Sequence, residues 1–448
     1  MGDVKEKAER AHWASIKMAT LESEQKERAL LAIAEALWRE REAIQRANKE
    51  DLIKLQDLQR DGEVSTAVVK RLKLDEEKIR QVVEMVRDVA ALDDPVGKTQ
   101  YAVELDEGLE LYRVSSPIGV VGVIFESRPD ALPQIASLCL KSGNSVMLKG
   151  GSEASNSNRA LFNVIRKVSL EAGCPEDWIQ LMEAREEVAE LLNLDEYVDL
   201  IIPRGSNSFV RYIEENTKIP VLGHSEGVCH IYVDRDADIE KAVEVCLDAK
   251  VQYPAVCNAV DTLLVHKEVA EGFLPRMLDR FKEFGVEVRG CSATVRLLGE
   301  GVKLALEDDW GAEYLDYVVA VKVVSDIGEA IQHVNGYGSH HTDSIITRCG
   351  EAALKFMEEV DSASVFWNAS TRFADGYRYG LGAEVGISTG KIHARGPTGL
   401  DGLTIYKYYL VGSNQVVSSY VDSLSNSFKH RRLSKTWEEV RNQILRER

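Results

Sequence analysis

From Gly119 to Trp367 the chain alternates short, uninterrupted apolar runs with amphipathic helical stretches, and no other feature limits its fold as much. Gly119-Val-Val-Gly-Val-Ile-Phe125, Asn144-Ser-Val-Met-Leu-Lys149, Trp178 to Met182 and Val198-Asp-Leu-Ile-Ile202 read as strands, with helices over 131–141, 155–172 and near 185–193 between them. Ile219-Pro-Val-Leu222 reads as one more strand, after a helix that opens near Arg204-Gly205-Ser206. Runs that are apolar on both sides of the pleat are covered on both faces, so this pattern predicts a doubly wound parallel sheet. A second set follows, with strands over 230–233, 262–266, near 287, 317–324, 344–347 and 364–367. Its helices are expected over 237–249, 268–284, 327–335 and 352–359. Ligands of such sheets bind outside the carboxyl ends of the strands.

The flanking segments have a different texture. Residues 3–60 carry apolar side chains at helix spacing, the later helix covering 40–58, and residues 64–92 add a helical pair that stops before Asp94-Pro95. The breaks come too often for a coiled coil, so these helices are expected to pack on the sheet. Val103-Glu-Leu105 and Leu109 to Val114 flank Asp-Glu-Gly and predict a β-hairpin. It is expected to protrude, because nothing around it supplies a sheet. A late strand covers 403–409, and residues 411–448 read as appended, with a charged helix over about 434–447.

A net charge of −18 argues against nucleic-acid binding and against a polybasic membrane anchor, although local backbone N–H groups can still hold an anion. The seven cysteines are widely spaced with no Cys-x-x-Cys pair, which indicates neither a disulfide framework nor a zinc site. Reduced thiols in a soluble, reducing compartment, cytoplasmic or mitochondrial, are the expectation.

One of these thiols is placed for chemistry. Tyr253-Pro-Ala-Val-Cys257-Asn258 is a small-residue turn immediately before a strand, which suits a nucleophile presented at the mouth of a domain. Buried cysteines are more often small core residues, so partners have to come from elsewhere. Lys149-Gly150-Gly151-Ser152 and Arg204-Gly205-Ser206 follow successive strands and could cradle phosphates through backbone N–H groups, although neither fits a dinucleotide or P-loop fingerprint. His333 to Ile345 is dense in polar groups. Its adjacent His340 and His341 do not share a helix face and have no carboxylate at ligand spacing, so no metal is expected. Residues 386–396, with Lys391, His393 and Arg395, read either as a solvated loop or as a loop for an anionic substrate group.

Taken together, Phe125-Glu-Ser-Arg-Pro-Asp-Ala131, Pro203-Arg-Gly-Ser-Asn207, Tyr253-Pro-Ala-Val-Cys-Asn258, Phe366-Trp-Asn-Ala-Ser-Thr-Arg-Phe373 and Gly382-Ala-Glu-Val-Gly-Ile387 resemble the aldehyde dehydrogenase superfamily and, within it, the γ-glutamyl phosphate reductase family. The match covers about 5–415 and is close to the reductase domain of eukaryotic Δ1-pyrroline-5-carboxylate synthase. The resemblance implies an aldehyde dehydrogenase-like α/β fold: a dinucleotide-binding domain over 1–225, a catalytic domain over 226–400, oligomerisation elements at 97–114 and 401–415, and a tail over 416–448 that it does not explain. It implies NADP-dependent reduction of L-glutamate 5-phosphate to L-glutamate 5-semialdehyde with release of phosphate, in proline biosynthesis, through a Cys257 thioester. Asn258 and the Cys257 N–H are the implied oxyanion donors. Lys149, Gly151, Ser152, Gly205, Ser206 and Glu313 are the implied cofactor contacts, and Arg128, Ser339, His340 and Arg372 are substrate candidates.

Two departures from ordinary aldehyde dehydrogenases bear on this reading. The Glu-Leu-Gly-Gly stretch whose carboxylate activates water is absent; Leu222-Gly-His224-Ser-Glu226-Gly227 stands in its place, and a reductase gains by not hydrolysing its thioester. Ser152 stands where NAD-preferring members often carry a carboxylate, which with Lys149 favours NADP, while Glu153 beside it keeps NAD open. The resemblance further implies a homodimer or larger homo-oligomer and a glutamate 5-kinase domain on the full-length chain. The rivals are an aldehyde-oxidising dehydrogenase and a non-catalytic assembly module.

Overall fold

The structure, a computed structural model, describes residues 2–446 apart from 61–68, 70, 127, 185, 225 and 422–426. The hairpin comes first among the strands: β1 (Thr99–Asp106) and β2 (Leu109–Pro117) pair antiparallel, with Ala102 opposite Tyr112. Four parallel strands follow, β3 (Val120–Phe125), β4 (Ser145–Gly150), β5 (Ile179–Met182) and β6 (Leu200–Arg204), in the spatial order β5-β4-β3-β6. Every residue of β3 and β4 is buried, as runs without polar alternation require. Helix Gly2–Met18 covers one face through Val4, Ala8 and Ala11, packed with Val120, Ile124 and Met147. Helices Ser23–Arg39, Glu76–Ala91, Ala131–Lys141 and Ser155–Glu171 cover the other, around Leu30, Val86, Leu132 and Ile165.

The second sheet has seven parallel strands. They are β7 (Cys229–Val233), β8 (Val260–His266), β9 (Glu287–Gly290), β10 (Val302–Leu304), β11 (Val318–Val324), β12 (Thr342–Ile346) and β13 (Ser364–Trp367), ordered β10-β9-β11-β8-β7-β12-β13. A two-stranded ribbon of β14 (Gly386–Ser388) and β15 (Gly396–Thr398) then returns to the first sheet. Ala383, Val385, Leu400 and Leu403 belong to the first sheet's core.

Four expectations are corrected. The hairpin does not protrude alone: β16 (Thr404–Val411) pairs along β2, and β17 (Arg431–Arg432) pairs with β1, giving a four-stranded antiparallel sheet. The tail is therefore partly built in. Its helix Trp437–Arg446 lays the Trp437 ring on Tyr409 with centroids 4.1 Å apart, and Val440 is buried against Tyr112. The strand expected over 219–222 reduces to a single bridge between Val221 and Ile201. Helix Ser292–Leu298 and β10 were not foreseen, being short and split by Gly299 and Gly301, both at positive φ. The first member of the helical pair over 64–92 lies largely outside the described residues; the second is Glu76–Ala91.

Candidate active site

Cys257 lies in the turn between helix Ile239–Val251 and β8, at the amino edge of the second sheet. The carboxyl-end rule holds for the first sheet, where β4 ends at Gly150 and β6 at Arg204. The second sheet turns its opposite edge to it, because the segment crossing between them enters β7 at Cys229 and passes the thiol on the way. Gly227 of that segment packs against the Cys257 backbone, where an added Cβ would come within 2.6 Å of Cys257 Cα. Cys229 Sγ donates to the Cys257 carbonyl at 3.2 Å, and burial raises that thiol well above its ordinary value, leaving it a neutral support. Asn258 is 4% exposed and its Nδ2 donates to the Ala374 carbonyl at 2.8 Å. This amide fixes the turn while sitting next to the thiol.

Two imidazoles flank Cys257 that the sequence reading did not select. His224 and His341 have ring centroids 5.0 Å apart, and each offers a ring nitrogen within 4.8 Å of the thiol sulfur. His224 Nδ1 donates to the Ile387 carbonyl at 2.9 Å. His340, the substrate candidate, immediately precedes His341. It adopts φ +62°, and its Nδ1 lies 2.6 Å from the Asp361 carbonyl, while His341 stands just before β12, which starts at Thr342 beside β7. Ser339 accepts from the Val228 N–H at 2.8 Å and so ties the same loop to the crossing segment.

Cations converge on the thiol from both units. Arg372 is 8% exposed, its Nε donates to Gln252 at 2.9 Å, and burial lowers it from the usual arginine range while the Cys257 sulfur counteracts. Arg204, which the sequence reading passed over in favour of its glycine neighbour, is likewise lowered by burial and then by Arg128; Glu384 and Cys257 counteract. Glu384, pushed up by burial, accepts from the Gly376 N–H at 2.8 Å. An arginine ending a parallel strand was the available signal for Arg204. The basic loop over 386–396 is otherwise engaged: Lys391 and Arg395 bind the Asp361 carboxylate at 2.6 and 3.0 Å, and His393 lies 2.8 Å from the Gly402 carbonyl. Its cations hold the loop rather than an anion.

The two glycine turns adjoin this cluster on the first sheet's carboxyl edge. Lys149 is 6% exposed, its Nζ donates to the Gly150 carbonyl at 2.6 Å, and burial lowers it while Glu153 opposes. A Cβ at Gly151 would overlap the Glu153 carboxylate, and one at Gly205 would lie 2.8 Å from Glu126 Oε2. At both turns the close neighbour is a mobile carboxylate, and Ser206 N–H points at one of them, Glu126, at 3.4 Å. Ser152 opens the one-turn helix Ser152–Ala154. Glu313 reaches across from the second unit and accepts from Asn207 Nδ2 at 2.9 Å. Nearby, a cavity of about 370 Å³ is lined by Asn207, Ser208, Arg211, Tyr212, Glu215 and Glu226. Glu226 pairs with Arg211 at 2.7 Å.

Two parallel-sheet units with a single thiol presented between their opposed edges define a class, and the sequence matches the Aldehyde dehydrogenase family over residues 2–291. The chain belongs to that family and, within it, to the γ-glutamyl phosphate reductases. It is 55% identical over 435 residues to the gamma-glutamyl phosphate reductase of Pelotomaculum thermopropionicum, covering 97% of this chain and 99% of that one. It is 52% identical over 446 residues to that of Methanococcoides burtonii, covering 98% and 99%. The crystal structure of gamma-glutamyl phosphate reductase from Thermotoga maritima superposes with a TM-score of 0.89 at 41% identity, covering 92% of this chain and 99% of that one.

The packing of Gly227 on Cys257 makes a direct prediction. Gly227→Ala has to push the thiol aside by an ångström or more, and a displacement of that size costs on the order of 100-fold in turnover. The steady-state rate falls by that factor while circular dichroism stays unchanged; a rate within twofold of the parent would contradict the packing.

Proposed function

We propose that the chain reduces L-glutamate 5-phosphate to L-glutamate 5-semialdehyde with release of phosphate, a step of proline biosynthesis, using NADPH and a Cys257 thioester. The observation that carries this is the identity of 55% with a reductase of that name across nearly the whole of both chains, with Cys257 standing between the two sheets. The Cys257 thiolate attacks the acyl carbon, and the bond from that carbon to the phosphate oxygen breaks. The thiol proton passes to the bare Nε2 of His224, whose Nδ1 is committed to Ile387. Arg372, Arg204 and Arg128 gather the charge of the departing phosphate. The Cys257 N–H and the remaining donor of Asn258 receive the oxyanion.

The glycine turns fit a dinucleotide, since both lie at strand carboxyl ends with backbone N–H groups and no Cβ between them and a ligand. Lys149, Gly151 and Ser152 would hold the adenosine end, Gly205 and Ser206 the pyrophosphate, and Glu313 the nicotinamide ribose. When bound, NADPH supplies the hydride that converts the acyl carbon to the aldehyde level. Cys257 then acts as leaving group, its sulfur departing as thiolate. Glu226, paired with Arg211, is unavailable to activate water against the thioester, which favours reduction over aldehyde oxidation.

The exposed face of β16, with Tyr406, Tyr408 and Leu410 each more than 40% accessible, is the surface on which a second copy assembles. Among the described residues no helix is long and apolar enough to cross a membrane.

Three measurements test this reading. NADP⁺ reduction with glutamate semialdehyde requires inorganic phosphate and disappears in Cys257→Ala; turnover that ignores phosphate, or survives loss of the thiol, refutes it. Lys149→Ala raises KM for NADPH at least about tenfold more than KM for NADH, the worth of one charge-assisted contact to a 2′-phosphate; an equal rise for both overturns the NADPH assignment. Leu410→Asp lowers the sedimentation mass to that of one chain, and an unchanged mass removes β16 from the interface.

A further inference from the structure

His224, Cys257 and His341 come from three segments distant in sequence, yet each offers a ligand atom within 4.8 Å of the other two. One ring is preset as a ligand, and the other leaves a nitrogen open to the site. A carbonyl can only accept, so His224 Nδ1 beside Ile387 carries the proton and Nε2 bears the lone pair. His341 has Nδ1 2.9 Å from Thr342 Oγ1, and the ring is 1% exposed with Nε2 lacking any hydrogen-bond partner among the described residues. Metal-binding histidines are commonly oriented in this way through their second nitrogen.

We propose that these three side chains form a site for a zinc-class divalent cation, and that its binding caps the nucleophile. Two imidazoles and a thiolate suit Zn²⁺ or Co²⁺ and do not suit Mg²⁺ or Ca²⁺, which take oxygen ligands. Metal–ligand bonds of about 2.0–2.3 Å put ligand atoms about 3.5 Å apart, so a starting separation of at most 4.8 Å needs little more than about 1.3 Å of side-chain adjustment. The Cys257 thiol gives its proton to solvent as the sulfur–metal bond forms, and the reaction is not a redox step. While bound, the sulfur lone pair cannot attack an acyl carbon. Arg204 and Arg372, whose charges reach this sulfur, oppose a second cation and keep the affinity moderate, so the metal is removable. Capping rests on Cys257 being the nucleophile, whereas metal binding rests on geometry alone.

The test is titration of the full chain with Co²⁺. One equivalent binds and produces a sulfur-to-cobalt charge-transfer band, which Cys257→Ala abolishes. His224→Ala and His341→Ala each weaken binding by roughly tenfold or more, and the half-buried His224 serves as the informative variant if loss of buried His341 impairs folding. Zn²⁺ displaces the cobalt and stops the reductase reaction, and a chelator restores it. Binding without the sulfur band, or of equal strength in both histidine variants, overturns the site. A cobalt band accompanied by full turnover of the zinc-loaded chain overturns capping and leaves the site standing; turnover by Cys257→Ala instead refutes the nucleophile assignment.

Discussion

The active site depends on one backbone contact, in which Gly227 lies against Cys257 with no room for a side chain between them. The segment over 222–228 leaves the carboxyl edge of the first sheet and enters the amino edge of the second at β7. Because it passes so close to the thiol, the two edges are held face to face, and each contributes what the other lacks. The first sheet brings Arg204 and the glycine turns; the second brings Cys257, which precedes β8, Cys229, which opens β7, and His341, which precedes β12, three strands paired side by side. His224 rides on the crossing segment itself and is anchored to β14 by its bond to Ile387.

Electrostatics at this junction runs against the charge of the chain. A protein with net charge −18 brings the charges of Arg204 and Arg372 to bear on one sulfur, with Arg128 and Glu384 beside Arg204. Local arrangement decides the field because buried charges are screened far less than exposed ones. The same distinction separates useful cations from structural ones. Lys391 and Arg395 are spent on Asp361, whose carboxyl they hold below the usual range, and that residue in turn holds His340. The site also contains an inherent competition: a thiolate flanked by two imidazoles suits an acyl carbon and a soft metal alike.

The strands were readable from the sequence because a buried parallel strand is a continuous apolar run. Helix Ala131–Lys141 and β13 occupy the ranges expected, and β3, β4 and β8 differ by only one or two residues at their ends. The short helix Ser292–Leu298 and β10 escaped, having too few residues for a period to appear. Cys257 and the glycine turns were recognisable from local strings. His341 was not distinguished from His340, because two adjacent polar residues entering a strand look alike until the pairing of β12 with β7 fixes which one points at the thiol.

The sequence alone determined the fold class and the family and singled out Cys257 as the candidate thiol, since apolar periodicity and contiguous motifs are local properties of a chain. Tertiary structure alone decided that the second sheet offers its amino edge, that His224 and His341 meet at Cys257, and that the tail completes the antiparallel sheet through β17 and Trp437. Those facts depend on contacts such as His224 with Ile387 and Arg372 with Gln252, between residues more than a hundred positions apart. No local pattern encodes such contacts; they form when the packing of two cores places the segments together.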